Sequence, residues 1–437
     1  MLTRIGVRQF DELLQGIPAA IPRATLAVPA GRSEAELLRH LQTLAARNQT
    51  AETHRCFMGA GAYEHFIPSV VRYLTSRGEF LTAYTPYQAE ASQGTLQAMY
   101  EFQSVICELT GMDVANASLY DGATSMVEAA LLALRETQRP KLVVASTVHP
   151  EYRQVLRTYL RQTHAEIVEL PGADGVTPLT DAQAAIDHRT AAVIVQMPNG
   201  YGCLEMAEPL GALAHKAGAL YVVVVNPLSL GLLKPPGAYG ADLVVGEGQP
   251  LGLALQYGGP YLGFFACREP YLRKVPGRIV GMTRDANGRR GFTLTLQTRE
   301  QHIRRSRATS NICTNEGMCA LAATIYLCAV GKQGLREIAQ QNVAKAHYAH
   351  AQLTAVPGVT PMFQAPFFNE FALQLPCEAS WLNERLLARG FLGGVDLGRW
   401  IPALRRGWLV CVTETKTRED IDAFVAAVGE EIRWTSP

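Results

Sequence analysis

The sequence predicts an α/β fold built on one large, mostly parallel sheet, and three observations support it. Helical and strand patterns alternate between about residues 95 and 260. The strand patterns, such as KLVVAS and ALYVVVV, are short continuous apolar runs, which are typical of strands with helices on both faces. Beyond Pro357 the pattern changes to β-α-β-α, which predicts a small C-terminal α+β domain.

Each element is predicted from an apolar pattern that lies between turn residues. In the large domain, the predicted helices are 94–112, 124–138, 151–163 and 208–218, and the predicted strands are 141–146, 165–170, 191–197, 219–225, 241–246 and 261–268. An arginine-rich segment then leads to two helices, 318–331 and 332–353. The C-terminal domain is predicted to have strands at 367–375 and 407–413 and helices at 380–390 and 418–432.

We expect three regions along the chain. Residues 1–90 form an N-terminal arm and helical segment, residues 91–330 the large α/β domain, and residues 331–437 a connecting helix and the small C-terminal domain. The first 31 residues are rich in Pro, Ala and Gly, which suggests an arm that lies over a neighbouring subunit. A capping box from Ser33 to Glu36 predicts the start of a helix after this arm.

The composition argues against several classes of function. The 437 residues include 40 basic and 39 acidic side chains, so nothing indicates binding to nucleic acid or to an anionic membrane. Nine scattered cysteines without a C-x-x-C pair indicate free thiols in a reducing compartment and argue against a metal site. The N-terminus lacks the apolar region of a secretion signal, and the apolar runs fall short of the ~20 residues of a membrane span. We expect a cytoplasmic protein.

The turn after the strand pattern ADLVVG is the expected place for a reactive side chain, since catalytic groups of α/β enzymes follow the carboxyl ends of strands. This turn contains Glu247, Gln249 and several glycines. It contains no lysine, serine, cysteine or histidine. The sequence therefore places a site-like turn here without a nucleophile.

A large α/β domain with an N-terminal arm and a small C-terminal domain is the layout of fold-type I pyridoxal phosphate enzymes. Two long segments are more specific: FMGAGAYEHFIPSVVRYLTSRGEFLTAYTPYQAEASQGTLQAMYEFQSVICELTGMDVANASLYDGAT (57–124) and PGRIVGMTRDANGRRGFTLTLQTREQHIRRSRATSNICTNEG (276–317). Both closely resemble the glycine decarboxylase P-protein family, and the resemblance covers essentially the whole chain. The chain is similar to the N-terminal half of the long P-protein, which two-subunit versions carry as a separate subunit 1.

The resemblance implies that this chain does not hold the cofactor itself. In the family, the cofactor-bearing half has a His-Lys pair before a glycine-rich loop, and the lysine forms the Schiff base. The corresponding turn here holds Gln249 or Pro250, and neither can form an imine. The strand 219–225 is also followed by no acid that would keep the pyridine nitrogen protonated. No catalytic residue is therefore expected in this chain, and pyridoxal phosphate is expected to be held covalently by the partner subunit.

The function implied by the resemblance needs two further proteins. With a pyridoxal phosphate-bearing subunit 2, the chain would decarboxylate glycine and pass the aminomethyl group to the lipoyl arm of the H-protein. The implied assembly is an α2β2 heterotetramer. Two alternatives remain: an autonomous pyridoxal phosphate aminotransferase or lyase that uses Lys234 or Lys274, and a structural or regulatory pseudoenzyme.

The segment RRSRATSNICTNEG contains the residues that we expect to act across a subunit boundary. Thr309, Ser310 and Asn311 offer two hydroxyls and an amide, and fold-type I dimers commonly reach across to the partner's cofactor phosphate from this region. The alternative is a capped and solvated loop. Asn315 is a candidate cap for the helix that follows.

Two other segments are candidates for anion binding or interface contacts. Residues 121–124 open a helix, so their N–H groups could hold an anion, and simple capping by Asp121 or Thr124 is the alternative. We expect two further groups of residues near a subunit boundary, with aromatic packing as the alternative for the second group. These groups are Tyr63 with His65, and Tyr84 with Tyr87 and Gln88.

Overall fold

The computed structural model describes residues 1–18, 20–21, 27–81, 85–312 and 314–433. The chain divides into two compact units, Met1–Gln49 and Thr50–Pro437. This division lies inside the first predicted region, and the predicted boundaries near residues 90 and 330 stay predictions.

The first unit is an open helical segment. It contains α1 (Leu2–Ile5), a 3-10 turn (Phe10–Leu14) and α2 (Glu34–Ala45). The predicted capping box at the start of α2 is confirmed, because the Ser33 backbone N–H donates to Glu36 and the Glu36 backbone N–H donates to the Ser33 hydroxyl. None of the described residues of this unit is buried.

The second unit contains the remaining described helices and strands. The helices are α3 (Ser69–Thr75), α4 (Gln93–Thr110), α5 (Gly122–Thr137), α6 (Pro150–Leu160), α7 (Leu179–Ala185), α8 (Ala207–Lys216), α9 (Gln301–Arg304), α10 (Gly317–Thr354), α11 (Ala379–Ala388) and α12 (Arg418–Arg433). The strands are β1 (Arg55–Cys56), β2 (Val114–Ala115), β3 (Lys141–Ala145), β4 (Glu166–Leu170), β5 (Thr190–Met197), β6 (Leu220–Val225), β7 (Leu243–Glu247), β8 (Gly263–Cys267), β9 (Ile279–Arg284), β10 (Arg290–Thr295), β11 (Thr360–Pro361), β12 (Glu370–Gln374), β13 (Phe391–Leu392), β14 (Val395–Asp396) and β15 (Gly407–Cys411).

The predicted large sheet is confirmed and has seven strands in the order β2-β8-β7-β6-β5-β3-β4. The five strands from β7 to β4 are parallel, while β8 and β2 add an antiparallel edge. Every residue of β3, β6, β7 and β8 is buried. Since successive side chains point to opposite faces of a strand, both faces of this sheet are covered.

The predicted β-α-β-α pattern near the C-terminus is also confirmed, as β12, α11, β15 and α12. An antiparallel sheet in the order β11-β12-β15-β14 packs with these helices around a second apolar core. An N-terminal segment joins this core: β1 pairs with β13, and the Phe57 ring stacks on Phe424 with 3.8 Å between ring centroids. The segment that starts at β1 is therefore held between the two parts of the fold.

The two helices predicted at 318–331 and 332–353 follow each other end to end in α10, and the predicted break between them is confirmed at Gly331. Gly331 has φ 61° and ψ −178°, a non-helical conformation that glycine tolerates best. Because the two apolar patterns join, α10 is the one described helix that is long and apolar enough, by length and composition, to cross a membrane. Its N-terminal half packs in the main core, where Ala320, Ala323 and Tyr326 are buried.

No strands were predicted in the arginine-rich segment, yet β9 and β10 form an antiparallel hairpin there. Its inward side chains, Val280, Phe292 and Leu294, pack against Leu96 and Met99 of α4. The charged residues lie at the exposed tip of the hairpin, residues 284–290, and glycines and threonines alternate with the apolar side chains, so the local sequence shows no clear strand pattern.

Candidate active-site cleft

The candidate cleft lies at the carboxyl edge of the parallel strands. Strands β3, β5, β6 and β7 end at this edge, which is where open α/β sheets bind their ligands. The turn after β7 meets the start of α5 and the 59–65 segment, and that segment contacts β12 of the C-terminal sheet.

The carboxylate of Glu247, the last residue of β7, accepts hydrogen bonds from three backbone N–H groups. Its Oε1 accepts from Gln249 (2.9 Å) and Leu262 (2.8 Å), and its Oε2 accepts from Gly122 (3.0 Å). Gly122 is the first residue of α5, so its N–H carries the partial positive charge of a helix start. Burial raises the pKa of Glu247 to about 7, although the three N–H groups act in the opposite direction.

Of the two alternatives for residues 121–124, helix capping is confirmed, and the binding of an external anion stays a prediction. The Asp121 carboxylate accepts from the Thr124 N–H (2.7 Å), and the Thr124 hydroxyl accepts from the Asp121 N–H (3.2 Å), which completes a capping box. The Gly122 N–H points instead to the Glu247 carboxylate. A carboxyl group of the chain itself therefore lies at this helix start.

Gln249 fills the turn where a lysine would be needed. Its Oε1 accepts from the Tyr63 N–H (2.9 Å), and its Nε2 donates to the carbonyls of Tyr63 (2.9 Å) and Leu253 (2.8 Å). The side chain is 1% exposed, and Pro250 beside it is buried as well. The amide is therefore committed to holding the 59–65 segment against the turn.

Tyr63 connects this turn to the C-terminal sheet. Its hydroxyl donates to Glu370 Oε2 (2.7 Å), and the Ala60 N–H donates to Glu370 Oε1 (2.6 Å). Burial raises the pKa of Glu370 to about 7. At Gly59 an added Cβ would lie 2.2 Å from Glu370 Oε1, so the segment passes close to this carboxyl group. The 59–63 segment thus occupies the space between β12 and the edge of the large sheet.

His149, which follows β3 at the same edge, was not among the predicted site residues. His149 Nε2 lies 3.0 Å from the Ala60 carbonyl oxygen, and the His149 N–H donates to Gln196 (2.8 Å). Its ring lies 5.1 Å from Trp400 and 5.3 Å from Tyr152. Burial lowers the pKa of His149. A histidine directly after a strand pattern was the available signal.

Of the residues expected near a subunit boundary, Tyr63 and His65 are buried within this chain. His65 Nδ1 pairs with Glu414 at 2.8 Å, and the His65 side chain is 2% exposed. The neighbouring Phe66 is 67% exposed. The boundary role of this segment stays a prediction, and Phe66 is its outward-facing side chain.

Tyr87 and Gln88 are exposed, and Tyr84 lies outside the described residues. The Tyr87 ring meets His302 edge-on at 5.6 Å, and the Arg278 guanidinium lies 6.0 Å from the centre of the same ring. A groove of about 570 Å³ lies beside them; we call it the α10 groove. Its lining includes Leu81, Pro86, Met99, Arg278, Asn315 and Met318.

The three residues expected at the partner's phosphate differ in exposure. Asn311 is exposed and Thr309 is half-buried, but Ser310 is buried and its hydroxyl accepts from the Ile312 N–H (3.1 Å). Ser310 also hydrogen-bonds to Glu128, whose pKa burial raises. The segment is therefore partly anchored in its own chain.

The prediction that Asn315 caps α10 is wrong. Its Nδ2 donates to the Ala117 carbonyl (3.0 Å) and the Ser118 hydroxyl (3.1 Å), and its Oδ1 accepts from Arg278 (2.8 Å). No side-chain cap bond is present at the described start of α10. Asn315 is too strongly engaged with the loop before α5 to reach the helix N–H groups.

The two alternative lysines lie on the surface. Lys234 Nζ is 3.1 Å from Glu208, and its side chain is 52% exposed. Lys274 pairs with Glu136, and its side chain is 46% exposed. Among the described residues, neither joins the hydrogen-bond network of the cleft.

Comparison with known proteins supplies the family. The sequence profile described as "Glycine cleavage system P-protein" matches residues 1–428. The chain belongs to this family. A relative named probable glycine dehydrogenase (decarboxylating) subunit 1, from Desulfitobacterium hafniense, is 54% identical over 431 residues, which are 98% of this chain and 97% of the relative. The protein of the same name from Bacillus subtilis is 49% identical and covers 98% and 96%.

Solved structures agree with the P-protein family and the fold. A crystal structure of glycine decarboxylase (P-protein) of the glycine cleavage system, in inhibitor-bound form, has a TM-score of 0.92 and 48% identity and covers 98% of this chain and 97% of that chain. Glutamate decarboxylase from Lactobacillus brevis has a TM-score of 0.71 at 13% identity, over 94% and 95% of the two chains. The latter shows the fold alone, and the predicted fold-type I architecture is confirmed.

The residues of this cleft do not fit a pyridoxal phosphate held by the chain itself. The turn after β7 provides the Gln249 amide where an imine-forming lysine would be needed. Asn226, which follows β6, provides an amide whose oxygen accepts from the Leu228 N–H (3.1 Å), and an amide carries no charge to keep a pyridine nitrogen protonated. The N–H groups of Gly122, Gln249 and Leu262 already hold Glu247.

Proposed function

We propose that this P-protein chain is subunit 1 of a glycine dehydrogenase (decarboxylating) and carries no cofactor of its own. With a pyridoxal phosphate-bearing subunit 2, it would decarboxylate glycine and transfer the aminomethyl group to the lipoyl arm of the H-protein. The family match over residues 1–428 and the near-complete coverage of the subunit 1 relatives support this function. The observation that carries the division of labour is Gln249, an amide with three hydrogen bonds in the place of a lysine.

The proposal assigns three tasks to this chain: it completes the pocket wall, contacts the phosphate of the partner's cofactor and shapes the entrance for the lipoyl arm. None of these tasks needs a nucleophile. All of them need a stable surface, and the filled cleft supports this because it fixes the 59–65 segment to the large sheet and to β12. We further propose an α2β2 heterotetramer located in the cytoplasm.

The partner surface that we propose is the α10 groove with its exposed apolar rim. Leu81 and Met318 of the groove lining are 63% and 39% exposed, and Tyr87, next to the lining residue Arg278, is 44% exposed. Exposed apolar clusters of this kind mark protein–protein contacts, and obligate interfaces bury more than ~2,000 Å². In the other unit, α2 also exposes leucines at helical spacing, as expected for an arm that packs on another subunit. These are Leu37, Leu38, Leu41 and Leu44.

We propose that Thr309, Ser310 and Asn311 contact the phosphate of the partner's cofactor, with the exposed Asn311 reaching furthest. Changing all three to Ala should weaken pyridoxal phosphate binding by the assembled complex about tenfold, because hydrogen bonds to a charged group are lost. Turnover at saturating cofactor should change less. Cofactor titration of the complex measures both, with the exposed loop variant Asn287→Ala as the control. An unchanged affinity in an intact complex would return the segment to the role of a solvated loop.

The decisive experiment is expression of this chain with and without a P-protein subunit 2, scored for bound cofactor and for glycine–bicarbonate exchange. We expect exchange only when both subunits are present. Borohydride reduction should fix pyridoxal phosphate on a lysine of the partner and on none in this chain. A stoichiometric adduct at Lys234 or Lys274 would support the autonomous enzyme instead. Full exchange by subunit 2 alone would support a structural or regulatory pseudoenzyme.

A further inference from the structure

A cleft with a basic lining lies beside the carboxyl end of β3. It has a volume of about 430 Å³ and is bounded by α6 and by residues 399–401; we call it the arginine cleft. Among the described residues, none that lines it is acidic. The lining includes three guanidinium groups, two hydroxyl groups and an indole, from Arg153, Arg157, Arg399, Ser146, Tyr201 and Trp400.

Arg153 and Arg157 supply two of the positive charges. They lie four residues apart on one face of α6, and both donate to the carboxylate of Glu169 on β4. Arg153 Nε also donates to the Val148 carbonyl (3.0 Å), and the Arg153 side chain is 12% exposed. One carboxylate therefore balances one of these two charges, and the Arg153 guanidinium is held in its orientation before a ligand binds.

Arg399 adds a third positive charge from the C-terminal part of the chain. It is exposed and ends a 3-10 turn, Leu397–Arg399. In the part of the chain that the structure describes, no acidic group pairs with the Arg399 guanidinium, and the Ser146 and Tyr201 hydroxyls make no hydrogen bond. Burial raises the pKa of Tyr201 while the charge of Arg153 acts against it, so this hydroxyl lies near that guanidinium. The cleft therefore keeps several donors for a ligand.

Two aromatic side chains stand beside these charges. The Trp400 ring meets His149 edge-on at 5.1 Å, and the indole Nε1 lies 3.4 Å from Glu151, which does not line the cleft. The Tyr201 ring lies 5.1 Å from the Phe363 ring. These contacts hold both rings in place. Aromatic surface next to guanidinium groups suits a ligand that joins an anionic group to a flat ring.

The charge and the volume of the cleft indicate the class of ligand. Three guanidinium groups and the single carboxylate of Glu169 leave two positive charges. These match a phosphate monoester, with about two negative charges at neutral pH, better than a lone carboxylate. Arginine also pairs with phosphate through two parallel N–H donors. A volume of about 430 Å³ lies in the usual range of small-molecule sites, so it has room for an organic group beside the phosphate.

We propose that the arginine cleft binds a nucleoside monophosphate, with its phosphate on Arg153, Arg157 and Arg399 and its base against Trp400. None of the lining residues takes part in the hydrogen bonds of Glu247. Binding therefore needs neither a cofactor nor a partner subunit. It is measured without turnover, so its outcome is independent of the proposed function.

Isothermal titration calorimetry of the full-length chain, or of its complex where the subunits do not separate, tests this site. The ligands are adenosine 5′-monophosphate, uridine 5′-monophosphate, adenosine, inorganic phosphate and succinate. We expect a nucleotide to bind once per chain, at least about tenfold more tightly than adenosine, phosphate or succinate, because the nucleotide alone uses both the guanidinium groups and the aromatic ring. Added salt should weaken this binding.

Variants of the lining residues locate the nucleotide. Arg399→Gln should weaken nucleotide binding at least about tenfold, and Arg157→Gln is a second variant with the same expectation at a side chain that is 51% exposed. Trp400→Leu should weaken nucleotide binding and leave inorganic phosphate binding unchanged. Arg336→Gln removes an exposed arginine of α10 and is the control, with unchanged binding. Circular dichroism establishes that each variant folds.

Several results would overturn the proposed site. Saturable binding of neither nucleotide would do so, as would succinate or inorganic phosphate that binds as tightly as the nucleotides. Unchanged nucleotide affinity in folded Arg399→Gln and Arg157→Gln proteins would place the nucleotide elsewhere on the chain. A loss of affinity in Arg336→Gln as large as in these two variants would show a general effect of charge and no defined site.

Discussion

At the scale of single residues, the cleft is held together by polar groups that bond to each other. Gln249 links the turn after β7 to Tyr63 and Leu253, and Tyr63 links on to Glu370. A buried donor or acceptor that loses its partner costs ~1–3 kcal/mol, whereas the bond itself contributes less. Replacing any of these side chains should therefore destabilise the protein mainly through the buried partners that it leaves unpaired.

We predict that Gln249→Ala lowers the free energy of unfolding by ~2–4 kcal/mol, because it leaves the Tyr63 N–H and two carbonyls without partners in the interior. Chemical denaturation of the full chain measures this change. Gln333→Ala is the control, since the Gln333 amide bonds only to Glu337 on the exposed face of α10. A loss at Gln249 as small as at Gln333 would contradict a structural role for the amide.

A second prediction concerns the pH dependence of stability. Burial raises the pKa of Glu370 from 4.5 to about 7, so the folded carboxyl holds its proton between those values while the unfolded one releases it. The folded state then binds more protons, and stability falls as pH rises from about 4.5 to 7, by an amount on the order of 3 kcal/mol. Glu370→Gln should flatten this part of the stability curve. Denaturation between pH 4.5 and 8 tests it.

The control for this prediction is Glu384→Gln, which removes a carboxyl group from the exposed side of α11. It should leave the slope of the wild-type curve in place. If Glu370→Gln retained the full slope, the proton uptake would belong to another group, and Glu247, whose pKa burial also raises to about 7, would be the next variant to measure.

The sequence could not predict these residue contacts. Tyr63 and Glu370 are separated by 307 positions, and Tyr63 and Gln249 by 186. No local pattern connects residues so far apart. The sequence therefore showed that the turn lacks a nucleophile, but it could not predict the contacts that the Gln249 amide makes. The prediction that Asn315 caps α10 was wrong for the same reason. Its amide bonds to Ala117 and Ser118, which are distant in the sequence, and not to the N–H groups of the helix.

At the scale of elements, the local sequence pattern was sufficient to predict a helix or strand wherever a single physical cause determines that element. Fully buried strands such as β3 and β6 show as continuous apolar runs, and the capping box before α2 follows directly from residue types. The β9–β10 hairpin was missed because its strands bury only a few apolar side chains and charged residues at its exposed tip interrupt the pattern. Whether such a hairpin forms depends on its tertiary packing and not on its local sequence pattern.

The kink in α10 gives a prediction at this scale. Gly331 has φ 61° and ψ −178°, while nothing lies within 4 Å of an added Cβ, so a side chain here would meet backbone strain and no clash. We predict that Gly331→Ala costs ~1–3 kcal/mol. Gly429 in α12 is the matched case, because its added Cβ would make only an ordinary 3.8 Å contact with Val356.

Gly429→Ala should therefore stabilise the protein by ~0.5–1 kcal/mol, through the better helix propensity of alanine. Chemical denaturation of both variants gives two changes of opposite sign. Equal effects would mean that the kink at Gly331 is not fixed by its backbone conformation.

At the scale of the whole molecule, the described structure combines a filled cleft with exposed apolar surfaces. The network of Glu247, Gln249, Tyr63 and Glu370 fixes the interior at the carboxyl edge of the sheet, while the rim of the α10 groove stays open. A protein that acted alone would be expected to show the reverse, an open cleft and a polar exterior. This contrast is why the proposed function places the chemistry in a partner subunit.

We predict that the α10 groove is part of the interface with that partner. Leu81 is 63% exposed on the groove, and Leu81→Asp would put a charge where the partner surface must be desolvated. The dissociation constant of the complex should rise at least about tenfold, which corresponds to ~1.4 kcal/mol. Sedimentation of the mixed subunits over a dilution series measures it.

Leu387→Asp on α11 makes the same change at another exposed leucine of the chain and should leave assembly unaltered. Circular dichroism would establish that both variants fold. If Leu81→Asp assembled as tightly as the wild-type chain, the groove would lie outside the interface, and the exposed leucines of α2 would be the next surface to test.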